Sequence, residues 1–142
     1  MKKLFIAALF VVAAGTSAFA FDATKVSYRV KNSFENLFTN AENVEWTAKE
    51  NFMKATFTLD EKRIEAFFGN DGELIGESQK IDFKKLPANA VRKIKKEFAS
   101  YAVTESIQFD QDGERSYYVS LQDGAKQRIL QVSLLGSISI YK

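Results

Sequence analysis

Cysteine and histidine are both missing from these 142 residues. Without cysteine there is no disulfide framework, so an apolar core has to hold the fold unaided. Without histidine, imidazole triads, histidine metal sites and neutral-pH histidine switches are excluded. Long apolar runs are scarce as well. The longest, Leu4 to Ala14, has eleven residues, whereas spanning a bilayer core takes about 20. Met1-Lys2-Lys3 precedes that run and Ala18-Phe19-Ala20 follows it, so residues 1–20 read as a secretory signal peptide. The exported chain is expected to begin at Phe21, and the absence of cysteine excludes lipid attachment there. A periplasmic or secreted location follows, with no membrane span after cleavage.

An excess of charge of one sign is also lacking. The full chain has 20 basic and 18 acidic residues, and losing Lys2 and Lys3 with the signal leaves 18 of each. Global electrostatics thus give no reason to expect nucleic acid or an anionic membrane as partner. The 122 residues that remain suffice for one domain burying roughly two-thirds of its unfolded surface, whereas two domains of about 60 residues would each be marginal.

What is present is strand periodicity. Met53, Ala55, Phe57 and Leu59, then Ile64, Ala66 and Phe68, recur at every second position, the period of a strand with one buried face. Asp60-Glu61 and Asn70-Asp71-Gly72 supply the turns of a three-stranded meander over residues 52–78. Before it, Val26, Val30, Phe34, Leu37 and Phe38 trace one face of a helix over residues 22–40. Asp22 or Thr24 would cap its start and Asn40 would end it. Val44-Glu45-Trp46 then begins a short strand. Pro87 suits the first position of a second helix over residues 88–99, with Val91, Ile94 and Phe98 on its apolar side. Alternating Val103, Ile107 and Phe109, then Tyr117, Val119 and Leu121, then Leu130 and Val132, predict further strands, with Asp112-Gly113, Asp123-Gly124 and Gly136 as turns. Ile138 and Ile140 finish the chain.

The halves align with one another. Phe34 and Phe38 match Ile94 and Phe98 at an offset of 60; Ala55, Phe57 and Leu59 match Tyr117, Val119 and Leu121 at 62; Ala66, Phe68, Gly72 and Leu74 match Leu130, Val132, Gly136 and Ile138 at 64. Two repeats, about 22–82 and 83–142, would each be a helix and four strands unable to bury its apolar face well alone. The expected fold is α+β with two layers: both helices on one face of a nearly continuous antiparallel sheet of about eight strands.

The stretch Phe38-Thr39-Asn40-Ala41-Glu42-Asn43-Val44-Glu45-Trp46 resembles the Phe-Pro-Asn-Ala-x-x-Val-x-Trp signature of the PepSY-like proteins. These are also described as β-lactamase-inhibitor-like and are exported mainly by Bacteroidetes. Ala66-Phe67-Phe68-x-x-Asp71-Gly72, Leu86-Pro87 and Tyr117-Tyr118-Val119 match as well, so the similarity covers residues 21–142 as one PepSY-like domain. Thr39 stands where the family has proline. The resemblance implies a tandem helix-on-four-strands unit and a protein-binding or inhibitory role. It brings no catalytic residue, since its pattern contains none.

No stretch of the chain carries a catalytic or cofactor motif, and neither an enzyme nor a cofactor is expected. Asp110-Gln111-Asp112-Gly113-Glu114 has the start of a calcium-loop pattern but lies between strands, where a hairpin turn accounts for it. Asp60-Glu61 reads as a solvated turn. Lys84, Lys85, Arg92, Lys93, Lys95 and Lys96 fall within thirteen positions with no acid among them. They read as a solvated helix face, flanked by Asp82 and Glu97, which dilute its field; the alternative is an anion or lipid-headgroup surface.

Strand alternation sends Phe52, Phe67, Tyr118 and Ile129 to the sheet face away from the helices, with Tyr141 near the edge. These five are the candidate protein-binding face, for an envelope or extracellular protein partner. The other reading makes them cross-strand pairs that stabilise a half-exposed sheet. The sequence therefore predicts a non-enzymatic exported binding module, an enzyme or protease inhibitor by its resemblance. The alternative is a structural or envelope-stress protein.

Overall fold

A computed structural model describes residues 26–142. The signal peptide over residues 1–20, the start at Phe21 and the caps Asp22 and Thr24 lie outside the described residues. Element order is α1 (Tyr28–Leu37), β1 (Glu42–Ala48), β2 (Met53–Leu59), β3 (Lys62–Phe68), β4 (Leu74–Lys80), a 3-10 turn (Phe83–Lys85), α2 (Ala88–Glu97), β5 (Ala102–Gln111), β6 (Glu114–Asp123), β7 (Lys126–Ser133) and β8 (Ile138–Ile140). The eight strands form one antiparallel sheet in sequence order, so the fold is mixed α+β.

α1 is shorter than the apolar spacing predicts. The Ser27 hydroxyl accepts the Val30 N–H at 3.3 Å, which caps the helix. It ends at Leu37 rather than Asn40 because Phe38 leaves helical geometry to enter the core, its ring centroid 4.8 Å from that of Phe57. The buried stripe is the strict four-residue series Val26, Val30, Phe34, Phe38, while Leu37, expected on that stripe, is 56 % exposed. At the second helix, Pro87 is the N-cap residue rather than the first helical one, and Ala90 and Ile94 form the fully buried part of the apolar side.

Register places both helices on one side. Phe57, Ile64, Gln79, Gln108, Tyr117, Val132 and Ile138 are successive cross-strand partners from β2 to β8, and paired residues share a face. α1 packs on Ala55, Phe57, Ala66 and Phe68. α2 packs on Tyr117, Val119, Leu121, Leu130 and Val132. Each helix is met near its start by a hairpin. A Cβ on Gly72 (φ 89°) would lie 3.0 Å from the Arg29 carbonyl, and one on Gly136 (φ 86°) would collide with the Asn89 side chain. Glycine is needed at both for the close approach and for the backbone angle.

Between the helices this face turns polar. Glu77 and Asp110 are directly paired across β4 and β5, and Arg115 Nε donates to Asp110 at 2.7 Å. Burial, then the charge of Asp110, pushes the Glu77 carboxyl above its ordinary range.

Candidate functional site

The face opposite the helices is built from the alternate residues of the same strands. Lys54 opposes Phe67, Phe67 opposes Gly76, Ser78 opposes Phe109 and Ile107 opposes Tyr118. Phe52, Phe67, Ile107, Phe109 and Tyr118 form a third buried cluster there, with Ile75, Ile129 and Tyr141 packed against it. Five rings run diagonally across it. Centroid separations are 5.7 Å for Phe52–Phe67, 6.3 Å for Phe67–Phe109, 6.4 Å for Phe109–Tyr118 and 5.5 Å for Tyr118–Tyr141. These distances suit edge-to-face contact.

The ladder crosses β4 because that strand has no side chain at Gly76. A Cβ there would meet the Phe109 ring at 2.7 Å, so Phe109 lies over the bare backbone and reaches Phe67. Beside it, Lys54 is itself buried, its ammonium 3.2 Å from Glu65, and Ser78 Oγ donates to the other oxygen of the same carboxylate at 3.4 Å.

Strand alternation places these aromatics on the correct face but implies exposure they do not have. Phe67 is 2 % exposed and Tyr118 1 %, with Phe52 also buried; Ile129 and Tyr141 are half-buried. Alternation reports which face a residue takes. It says nothing of the ring-on-ring packing that buries a face with no helix above it. Ile107 and Phe109 belong to the same cluster and were not among the predicted face residues. Their apolar alternation with Val103 suggests one common face, yet Val103 opposes Leu121 on the helix side. A bulge between Val103 and Glu105 reverses the phase. The available signal was the polar set Ser106, Gln108 and Asp110 on the alternate positions.

Over β5 to β8 the cluster is the floor of a groove of about 1120 Å³, lined by Phe109, Ser116, Tyr118, Gln131, Ser139 and Tyr141 among others. Burial pushes the Tyr118 hydroxyl above the usual phenol range, while hydrogen bonds with Ser116 and Gln131 act against that rise. Burial raises Tyr141 too. With Phe109 and Tyr118 almost fully buried beneath it, the groove presents Tyr141 as its accessible ring, among hydroxyl, amide and charged groups such as Ser139, Gln131, Glu114 and Arg115, a chemistry of hydrogen bonding and charge. No group of three or more Asp or Glu able to hold a metal occurs among the described residues. No helix among them is long and apolar enough to cross a membrane.

No family model matches the sequence, and no curated protein does either. Solved structures do match by shape. A BLIP-like protein of Bacteroides fragilis superimposes with a TM-score of 0.69 at 17% identity, over 80% of this chain and 82% of that one. A DUF2874 family protein of Bacteroides uniformis gives 0.71 at 12% identity, over 79% and 85%. A protein of Bacteroides eggerthii named for a periplasmic location gives 0.72 at 12% identity, over 80% and 85%. The chain therefore has the fold of these BLIP-like and DUF2874 proteins.

Proposed function

We propose that the chain is a non-enzymatic exported binding module that captures an envelope or extracellular protein through the sheet face opposite its helices. The observation that carries this is the groove over β5 to β8, floored by Phe109, Tyr118 and Tyr141. A half-buried tyrosine such as Tyr141, backed by packed rings and set among hydrogen-bonding groups, is the kind of residue that protein interfaces concentrate at their centres. In this reading the binding surface is the groove, and Phe52 and Phe67 are its buried foundation. The BLIP-like neighbour supports an inhibitory form of capture, with an enzyme or protease as the target. The N-terminal segment supports export to the periplasm or beyond.

The two halves are copies of one helix-and-four-strand unit joined into a single domain, as the paired glycine contacts of Gly72 and Gly136 support. The Phe38 to Trp46 stretch supports a PepSY-like affiliation.

Ser139→Arg and Glu114→Arg test the function, since both residues are exposed at the groove. Capture of a partner from envelope extract should be lost in these variants and kept by Lys62→Glu on the far side of the sheet, with melting unchanged in all three. Equal capture by all of them would exclude the groove. The deep burial of Phe67 and Tyr118 favours a second reading, in which the ladder serves stability alone and the protein is a structural or envelope-stress component.

A further inference from the structure

On the helix side of the sheet, the second half differs from the first in a way the fold does not require. Lys84, Lys85, Arg92, Lys93, Lys95 and Lys96 are all exposed, and none takes part in an ion pair among the described residues. Ala90 and Ile94 face the sheet, so at 100° per residue Arg92, Lys95 and Lys96 project away from it and Lys93 lies on the flank. Asn89 lies on the same exposed side, three and four positions before Arg92 and Lys93. Its Nδ2 donates to the Leu135 carbonyl at 2.9 Å, which brings the β7–β8 turn against this cationic surface.

That turn holds two bare leucines. Leu134 is 58 % exposed and Leu135 83 %. The turn is closed by Gly136 N–H to the Ser133 carbonyl at 2.9 Å and by Ser137 N–H to Ser133 Oγ at 3.0 Å, so both side chains are presented by a braced backbone. The equivalent turn of the first half exposes Asn70 and Asp71, and the α1 surface beside it mixes Arg29 and Lys31 with Glu35. Leucine at the tip and four helix cations against the single carboxylate of Glu97 are therefore additions to the common architecture.

We propose that this surface docks on a bilayer leaflet bearing anionic headgroups, with Leu134 and Leu135 entering the headgroup–acyl boundary and the α2 cations lying on the phosphates. A zero net charge does not cancel the attraction. The ten residues of α2 span about 15 Å, so its cations act together within a screening length or two of about 8 Å, and between positions 82 and 97 only Asp82 and Glu97 oppose the six of them. The chemistry favours a membrane over an acidic protein. Five of the six cations are lysine, which suits a diffuse array of phosphates; protein interfaces deplete lysine and take arginine and aromatic anchors. Aliphatic tips beside basic residues are the pattern of interfacial binding. Docking by the helix side leaves the groove on the other face open, and the inference does not depend on what the groove binds.

The cysteine-free chain permits a local probe. Leu135→Cys carrying an environment-sensitive dye should blue-shift on vesicles of phosphatidylcholine mixed with phosphatidylglycerol, and not on phosphatidylcholine alone. The same dye at Ala125→Cys, in the turn at the other end of β7, should not respond to either. Neutralising Lys93 and Lys96 to Gln should weaken the response roughly twenty-five-fold, at about fivefold per lysine, with the melting temperature unchanged. Because the readout is at the tip, contact made by the N-terminal segment does not register. No shift at Leu135, an equal shift on neutral vesicles, or indifference to the two lysines would overturn the proposal. A dye silent on vesicles but responsive to poly-glutamate would assign the face to an acidic protein instead.

Discussion

At the scale of single residues, burial separates what side-chain type suggests from what a substitution does. Phe67 and Phe68 are neighbours on opposite faces, one under α1 and one in the aromatic ladder, and both are almost fully buried. Truncating a buried phenylalanine costs about 3–5 kcal/mol. Phe67→Ala should therefore destabilise as much as Phe68→Ala in denaturant titration. The alternation by itself predicts a tolerated surface change of about 0.2–1 kcal/mol; a loss that small at Phe67 would mean the ladder is not packed. Glu77 supplies a pH test. Its folded value is raised by burial and by Asp110, so its protonated form suits the fold. Its contribution is present below the ordinary glutamate value and is lost as pH rises through the raised one. Glu77→Gln should be more stable than the parent at neutral pH and gain nothing in acid, as melting at the two conditions would show. An equal effect at both would remove the ionisation argument.

Among the elements, β4 decides whether the third cluster is continuous. Its Gly76 is the gap over which the Phe109 ring lies, 2.7 Å from where a Cβ would stand and with the Asp110 carbonyl at 3.0 Å. Overpacking of this kind costs about 1–3 kcal/mol. Gly76→Ala should lower stability by that amount and move Phe109 off Phe67, visible as changed ring chemical shifts for both. Unchanged shifts would mean the ring is not held there. The turns behave as their composition suggests. Asp60-Glu61 joins β2 to β3 with φ of 49° and 63°, the left-handed pair that a two-residue hairpin demands.

For the whole molecule, the sheet is what joins the two halves. β4 pairs with β5 through Glu77, Ser78, Gln79 and Lys80, and the ladder runs from Phe67 in the first half to Phe109 and Tyr118 in the second. A fragment ending at Lys85 would expose the β4 edge and strip Phe67 of its neighbour, leaving an unpaired strand that invites self-association. It should show no cooperative monomeric transition by circular dichroism and sedimentation. A sharp, monomeric melt would make each half an independent unit.

Periodicity was enough to read the strands, most of the turns and the two helices, because each depends on spacing within a dozen residues. The apolar positions Phe57, Phe68, Val119 and Val132 were legible as core for the same reason. The helix ends were less so: Phe38 leaves α1 for a contact with Phe57, nineteen positions away. The candidate face was half legible. Alternation placed Phe52, Phe67 and Tyr118 opposite the helices, but their burial needs Phe109 lying over Gly76, and that needs β4 beside β5. The bulge that puts Ile107 and Phe109 on that face is marked in the alternation only by the polar set Ser106, Gln108 and Asp110. The meeting of Leu135 with the cationic side of α2 depends on one hydrogen bond across 46 positions. Local order follows from local chemistry; which surfaces end up shared is decided only when distant strands pair.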